Sequence, residues 1–178
     1  MGHEVSKLYE KYAQFQRLGP GQFAEIMAGI HIVETAEESK ELNLQNGPMI
    51  IIAASGMLTG GRVLHHLKAF ADNPKNILLL AGFQSPGTRG WKLLNGESQV
   101  KVHGMMIDVL MKIIPSDSFS AHGDKVDLLN WLKTAIQRPE KIFLVHGEPS
   151  SSEALKLTIQ KDLGLDVQIA EMNQFVSV

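Results

Sequence analysis

Twice in this chain an apolar run empties into a glycine-bearing loop and then into a helical pattern. That repetition restricts the fold more than any other feature. Residues 49–54 lead into Ser55-Gly56-Met57-Leu58-Thr59-Gly60-Gly61-Arg62, followed by Val63, Leu64, Leu67 and Phe70 at helical steps. Residues 76–83 lead into Gln84-Ser85-Pro86-Gly87-Thr88-Arg89-Gly90, followed by Trp91, Leu93 and Leu94. Continuous apolar runs of this length suit strands buried on both faces of a parallel sheet. Two strand–loop–helix units in series imply a right-handed parallel α/β arrangement. Thr59 is expected to cap the first of the two helices.

Around this pair the pattern predicts a helix carrying Val5, Leu8, Tyr12, Phe15 and Leu18 on one face, ended by Gly19-Pro20-Gly21. A short strand is expected at residues 30–33 and a polar helix at 36–43. Residues 100–115 read as one long β segment bent or hairpinned at Gly104, and 115–121 as a crossing between domains. Beyond it come an amphipathic helix with Val126, Leu128, Leu129, Leu132 and Ile136, a strand at 141–146, a helix at 151–163 and strands at 166–171 and 175–178.

With 178 residues, 44% of them hydrophobic and 20% charged, the chain can bury a true core and is not of disordered composition. Its net charge of −2 provides no global basic field, so a nucleic acid would have to meet a local patch. Cysteine is absent, which excludes disulfides and thiolate metal sites. No apolar run is long enough to cross a bilayer and no signal-peptide pattern opens the chain, so a cytoplasmic setting is expected.

A glycine-rich turn into a helix presents backbone N–H groups and a positive helix end, which suits an anion. Residues 56–61 followed by Arg62-Val63 imitate a Walker A loop, but arginine replaces lysine and valine the magnesium-binding hydroxyl, which argues against a nucleotide triphosphatase. A turn whose glycines serve only packing is the competing reading. Thr88 and Arg89 open the second helix in the same manner. Arg62, His65, His66, Lys68, Arg89 and Lys92 are expected to form one basic rim at the C-terminal edge of the sheet, against a scatter of solvated charges.

Two further motifs are Ser120-Ala121-His122-Gly123-Asp124 and Leu144-Val145-His146-Gly147-Glu148. A carboxylate two positions from His122 suits a general acid held in one tautomer. His146 ends an apolar strand, a common position for a zinc-ligating imidazole. A lone histidine is more often a structural hydrogen-bonder, and His31 and His103 are read that way.

In order, Ser-Gly-Met-Leu-x-Gly-Gly-Arg, Gln-x-x-Gly-Thr-x-Gly, Phe-Ser-Ala-His-x-Asp and Leu-Val-His-Gly-Glu resemble the beta-CASP branch of the metallo-beta-lactamase superfamily, the RNA-processing nucleases. The resemblance covers most of the chain and implies an α/β fold: a parallel-sheet beta-CASP domain with flanking helices (residues 4–116), then the C-terminal elements of a metallo-beta-lactamase αββα fold (117–178). It implies His122, with Asp124, as the catalytic pair, His146 as a ligand to one of two zinc ions, and Ser55, Gly56, Gly60, Gly61, Arg62, Gly87, Thr88 and Arg89 as RNA- and phosphate-binding residues. The family's His-x-His-x-Asp-His segment is nowhere in the sequence. The chain is therefore expected to be a fragment or truncated protein that retains no zinc and cuts no RNA. Its partners would be RNA, the missing N-terminal metallo-beta-lactamase half and, through uncovered apolar faces, other copies of itself. The alternatives are a non-catalytic RNA-binding module of the same family and a phosphate- or nucleotide-binding protein.

Overall fold

The computed structural model describes residues 2–15, 17–19, 21–119 and 122–176. The chain forms two compact units, residues 1–120 and 121–178. Seven α-helices and six strands are described, the strands arranged as two parallel pairs and one antiparallel pair, in keeping with the α/β class.

Unit 1 begins with α1 (Gly2–Lys11), a short 3-10 turn at Ala13–Phe15, and α2 (Gln22–Ala28). Of the apolar stripe expected on one helix, only Val5 and Leu8 lie on α1; the helix ends at Lys11, Phe15 sits in the 3-10 turn, and Tyr12 and Leu18 lie outside both, while Tyr9 stacks on Phe23 with ring centroids 6.2 Å apart. Val5, Leu8, Tyr12 and Phe15 stay exposed, and Val5 and Phe15 border a shallow apolar cleft of about 450 Å³. The sequence reading placed one helix here, and α2 is an addition to it. Helix α3 (Ala36–Glu41) is opened by a reciprocal cap, in which the Thr35 hydroxyl accepts from Glu38 N and the Glu38 carboxylate accepts from Thr35 N.

Two expected strands are absent. Residues 30–33 and 49–54 have no regular structure, and in the second run Ile50 is 92% and Ile52 89% exposed. A strand exists only where a neighbour takes its backbone hydrogen bonds, and no strand of unit 1 lies beside either segment among the described residues. The repeat of strand–loop–helix units is therefore half realised.

The centre of unit 1 is better filled. Helix α4 (Val63–Phe70) buries Leu64 and Leu67. Its N-cap position is Arg62 and carries no side-chain cap, which corrects the expectation for Thr59. The Thr59 hydroxyl is engaged with Ser55 Oγ at 2.8 Å instead. Strand β1 (Ile77–Ala81) runs parallel to β4 (Lys112–Ser116), with Ile77 opposite Lys112 and Ala81 opposite Ser116. Only one face of β1 is covered: Leu80 is buried and Leu78 half-buried, while Ile77 and Leu79 are exposed. The crossover between the two strands contains α5 (Arg89–Leu94) and the antiparallel hairpin of β2 (Gln99–Val102) and β3 (Met105–Asp108). The hairpin turns at His103-Gly104, both with positive φ (47° and 83°), the geometry whose twist suits two-residue hairpin loops. The core joins Leu58, Leu64, Leu67, Leu80, Leu93 and Val100 with their neighbours.

Unit 2 holds α6 (Lys125–Lys133), β5 (Ile142–Leu144), α7 (Pro149–Leu163) and β6 (Val167–Ile169), with β5 and β6 parallel. Helix α7 follows the usual asymmetry, with proline in its first turn and Gly164 at φ 62° closing it. Leu129, Ile159, Leu165 and Val167 form its small core. Of the apolar positions assigned to α6, Val126 and Leu128 remain exposed, and Ile136 lies past the helix end, fully exposed. The strand expected at 166–171 is shorter than that span. Residues 175–176 are not a strand, and 177–178 lie outside the described residues. No helix among the described residues is long and apolar enough to cross a membrane.

Candidate nucleic-acid interface and histidine corner

The two glycine loops of unit 1 meet. Four consecutive carbonyls of the first loop accept from the second. Gly56 O takes Gln84 Nε2 at 3.1 Å, Met57 O takes Gly90 N at 3.2 Å, and Leu58 O and Thr59 O take Arg89 Nη1 at 2.9 and 3.4 Å. Arg89 Nε also donates to Lys101 O, joining the β2–β3 hairpin to the same cluster. Thr88 caps α5 by accepting from Trp91 N at 3.3 Å. Arg62 performs a similar task elsewhere: its Nη1 donates to Val33 O at 3.0 Å and Glu34 O at 3.5 Å, fastening the unstructured run before α3. The cations read as a phosphate rim are thus occupied in part with backbone carbonyls. Ser55, Gly56, Gly61, Arg62, Gly87 and Thr88 all lie on these loops, with Gly60 between them. At Gly61, φ is +78° and a Cβ would stand 3.0 Å from Ala54 O, so backbone shape and space both demand glycine. Leu58 occupies the left-handed region (φ 56°) with its side chain 1% exposed, pinning the loop into the core.

His66 does not belong to any rim. It is 7% exposed on the inner side of α4 and bonded at both ring nitrogens. Nδ1 lies 2.7 Å from Asn43 Oδ1, an acceptor, so Nδ1 carries the proton and Nε2 accepts from the Ser39 hydroxyl at 3.1 Å. The order hydroxyl–imidazole–amide is that of a nucleophile, base and orienter. Ser39 is itself buried, however, so no substrate reaches it. The set fastens α3 and the turn after it to α4. Burial pushes the His66 pKa below its ordinary 6.5, with His65 and Arg62 adding like-charge repulsion. No sequence signal marked this set, because Ser39 and Asn43 lie 27 and 23 residues from His66. His65, on the next position, points elsewhere, its ring 4.3 Å from that of His103.

Ser120 and Ala121 of the first histidine motif, at the boundary of the two units, lie outside the described residues. His122 is exposed. Asp124 is the N-cap of α6: its Oδ1 accepts from Asp127 N at 2.9 Å while Asp127 Oδ2 accepts from Asp124 N at 3.0 Å. This carboxylate therefore has a helix-capping task that the sequence reading did not assign to it, although Asp-x-x-Asp before a helix is a legible signal. His146 follows β5 with φ 58° and is exposed, beside Gly147. It borders a cleft of about 350 Å³ lined chiefly by apolar side chains, among them Trp131, Phe143, Val145 and Leu155. His122 does not line that cleft. Among the described residues, no three His, Asp or Glu side chains converge on one point. A structural zinc takes four ligands and a catalytic one three from protein. His146 offers one, so the described residues do not fit a zinc pair.

A family model for the Beta-Casp domain matches residues 1–93, and one for the Zn-dependent metallo-hydrolase RNA specificity domain matches residues 106–170. A ribonuclease of Thermus thermophilus is 37% identical over 152 residues, 85% of this chain and 34% of that protein. Transcription termination factor FttA of Pyrococcus abyssi is 33% identical over 143 residues, 78% of this chain and 22% of its own length. An RNase J-like protein of Methanocaldococcus jannaschii is 39% identical over 131 residues, 74% of this chain and 30% of that one. The chain thus spans about a third or less of the curated relatives it matches. With the first domain model covering more than half of its residues and the second following in order, the chain belongs to the beta-CASP branch of the metallo-beta-lactamase superfamily, the branch of RNA-processing nucleases.

Proposed function

We propose that this chain is the RNA-gripping portion of a zinc-dependent ribonuclease and does not cleave RNA by itself. The observation that carries the reading is the succession of a Beta-Casp match and an RNA specificity match along one polypeptide. The same succession supports a beta-CASP part at 4–116 and an RNA-metabolising segment at 117–178. The paired glycine loops are the surface for the RNA backbone, through Ser55, Gly56, Gly60, Gly61, Arg62, Gly87, Thr88 and Arg89. Their arrangement suits an anion for a specific reason. Carbonyl oxygens repel phosphate, and here four of them are turned to donors of the neighbouring loop. His122 is assigned proton transfer at the scissile phosphate, with Asp124 holding the start of the helix behind it. His146 is assigned as one zinc ligand; held by a full ligand set, the metal would supply an activated water. The remaining ligands come from a metallo-beta-lactamase half outside this sequence.

Binding of labelled single-stranded RNA, followed by anisotropy across a salt series, tests the reading. Affinity should fall as salt rises, because phosphate contacts release counterions. Arg62→Ala and Arg89→Ala should weaken binding without changing base preference. RNA affinity indifferent to salt and to both substitutions would refute it. Cleavage of the same RNA by the chain alone with zinc would refute the statement on inactivity.

A further inference from the structure

We infer that Gln84 is a positioning residue that locks the two glycine loops into one RNA-binding surface, and that position 90 is glycine in order to admit its amide. The inference rests on the RNA reading of these loops. Gln84 stands at the start of the second loop and is 6% exposed. Its Nε2 donates both to Gly56 O at 3.1 Å, in the first loop, and to Gly82 O at 3.2 Å, at the end of β1. One amide group thus ties the first loop, the second loop and the strand end together.

Gly90 explains the other half. It lies in α5, where the backbone makes no special demand for glycine. A methyl group there would stand 1.8 Å from Gln84 Oε1 and 2.8 Å from Cδ. The space a side chain would fill at position 90 is taken by the Gln84 amide. Its oxygen is buried and finds no hydrogen-bond partner among the described residues. Leaving a buried acceptor unpaired is costly. The structure accepts that cost and in return directs the Nε2 hydrogens at two carbonyls. Gly90 N reinforces the seam by donating to Met57 O, one residue along from the carbonyl Gln84 holds. Without the amide, Gly56 O loses the donor that ties the first loop to the second.

A double-substitution cycle in the full 178-residue chain tests this, with Gln84→Ala, Gly90→Ala and the pair, plus Gln84→Met, which fills the space but donates nothing. Two quantities are read: the denaturation midpoint, and the affinity for a labelled single-stranded oligouridine at low salt. Gly90→Ala should lower both in the natural background and add little once Gln84 is alanine, because the two positions touch. Gln84→Met fills the space but removes the bonds to both Gly56 O and Gly82 O; it should lower the midpoint less than Gln84→Ala and weaken oligouridine binding roughly fivefold, the free energy of the one bond that joins the two loops. Simple additivity of the two alanine substitutions would overturn the lock. Unchanged oligouridine affinity in a folded Gln84→Met chain would overturn the positioning role. An unsubstituted chain that binds no oligouridine would overturn the RNA reading instead, and the midpoint cycle would still report whether positions 84 and 90 interlock.

Discussion

The paired glycine loops of unit 1 and the histidine corner of unit 2 are equally conspicuous as sequence motifs, yet they are built in opposite ways. In the loops the bonding runs from one to the other: carbonyls 56–59 meet Gln84, Gly90 and Arg89, and Leu58 anchors them below. At the corner, His146 stands exposed beside an apolar cleft, no ligands converge on it among the described residues, and His122 does not line that cleft. The loops are bonded to one another across about 30 residues of sequence, whereas at the corner the described residues bring no ligand set together.

The comparison breaks first at Leu58. Leu58→Ala should cost about 2–5 kcal/mol, the range for emptying a well-packed core position, measured by chemical denaturation. The matched change at the corner, Trp131→Ala, should stay within about 0.5 kcal/mol, since exposed positions contribute little and this ring is 70% exposed. Equal losses would mean the corner is as tightly built as the loops. Next comes Gly61→Ala, where the left-handed backbone and the nearby Ala54 carbonyl predict a loss of about 1–3 kcal/mol.

A smaller effect belongs to His66. Its folded pKa lies below the 6.5 of the free side chain. Below pH 6.5 the unfolded chain takes up a proton that the folded chain refuses. His66 therefore leaves stability intact above that pH and lowers it as acid is added, until the folded pKa is reached. His66→Gln should flatten this part of the acid limb in a pH series of denaturation midpoints, and an unchanged slope would show that the imidazole takes its proton freely in the fold. The smallest expected effect is none: elemental analysis should find no stoichiometric zinc, before or after His146→Ala. Stoichiometric zinc lost on that substitution would make the corner a complete site.

How much of this was legible depended on where each residue's partner lay. The hairpin at Gly104 and the start of α5 at Thr88-Arg89 were readable because the residues that set them are within a few positions. The segment 49–54 has the composition of a buried strand, but composition does not say whether a neighbour exists to pair with it, and Ile50 and Ile52 are bare. Arg62 and Arg89 beside glycines read as phosphate ligands. Their carbonyl partners, 12 to 31 residues away, leave no local trace. His66 was hidden for the same reason, its meaning resting on Ser39 and Asn43.

Leu58 has one more implication. Its backbone shapes the loop and its side chain is part of the hydrophobic interior, so the loop cannot relax while that interior holds. Warming the protein should therefore leave the shape of this surface nearly constant and then abolish it abruptly, at the temperature where the interior gives way.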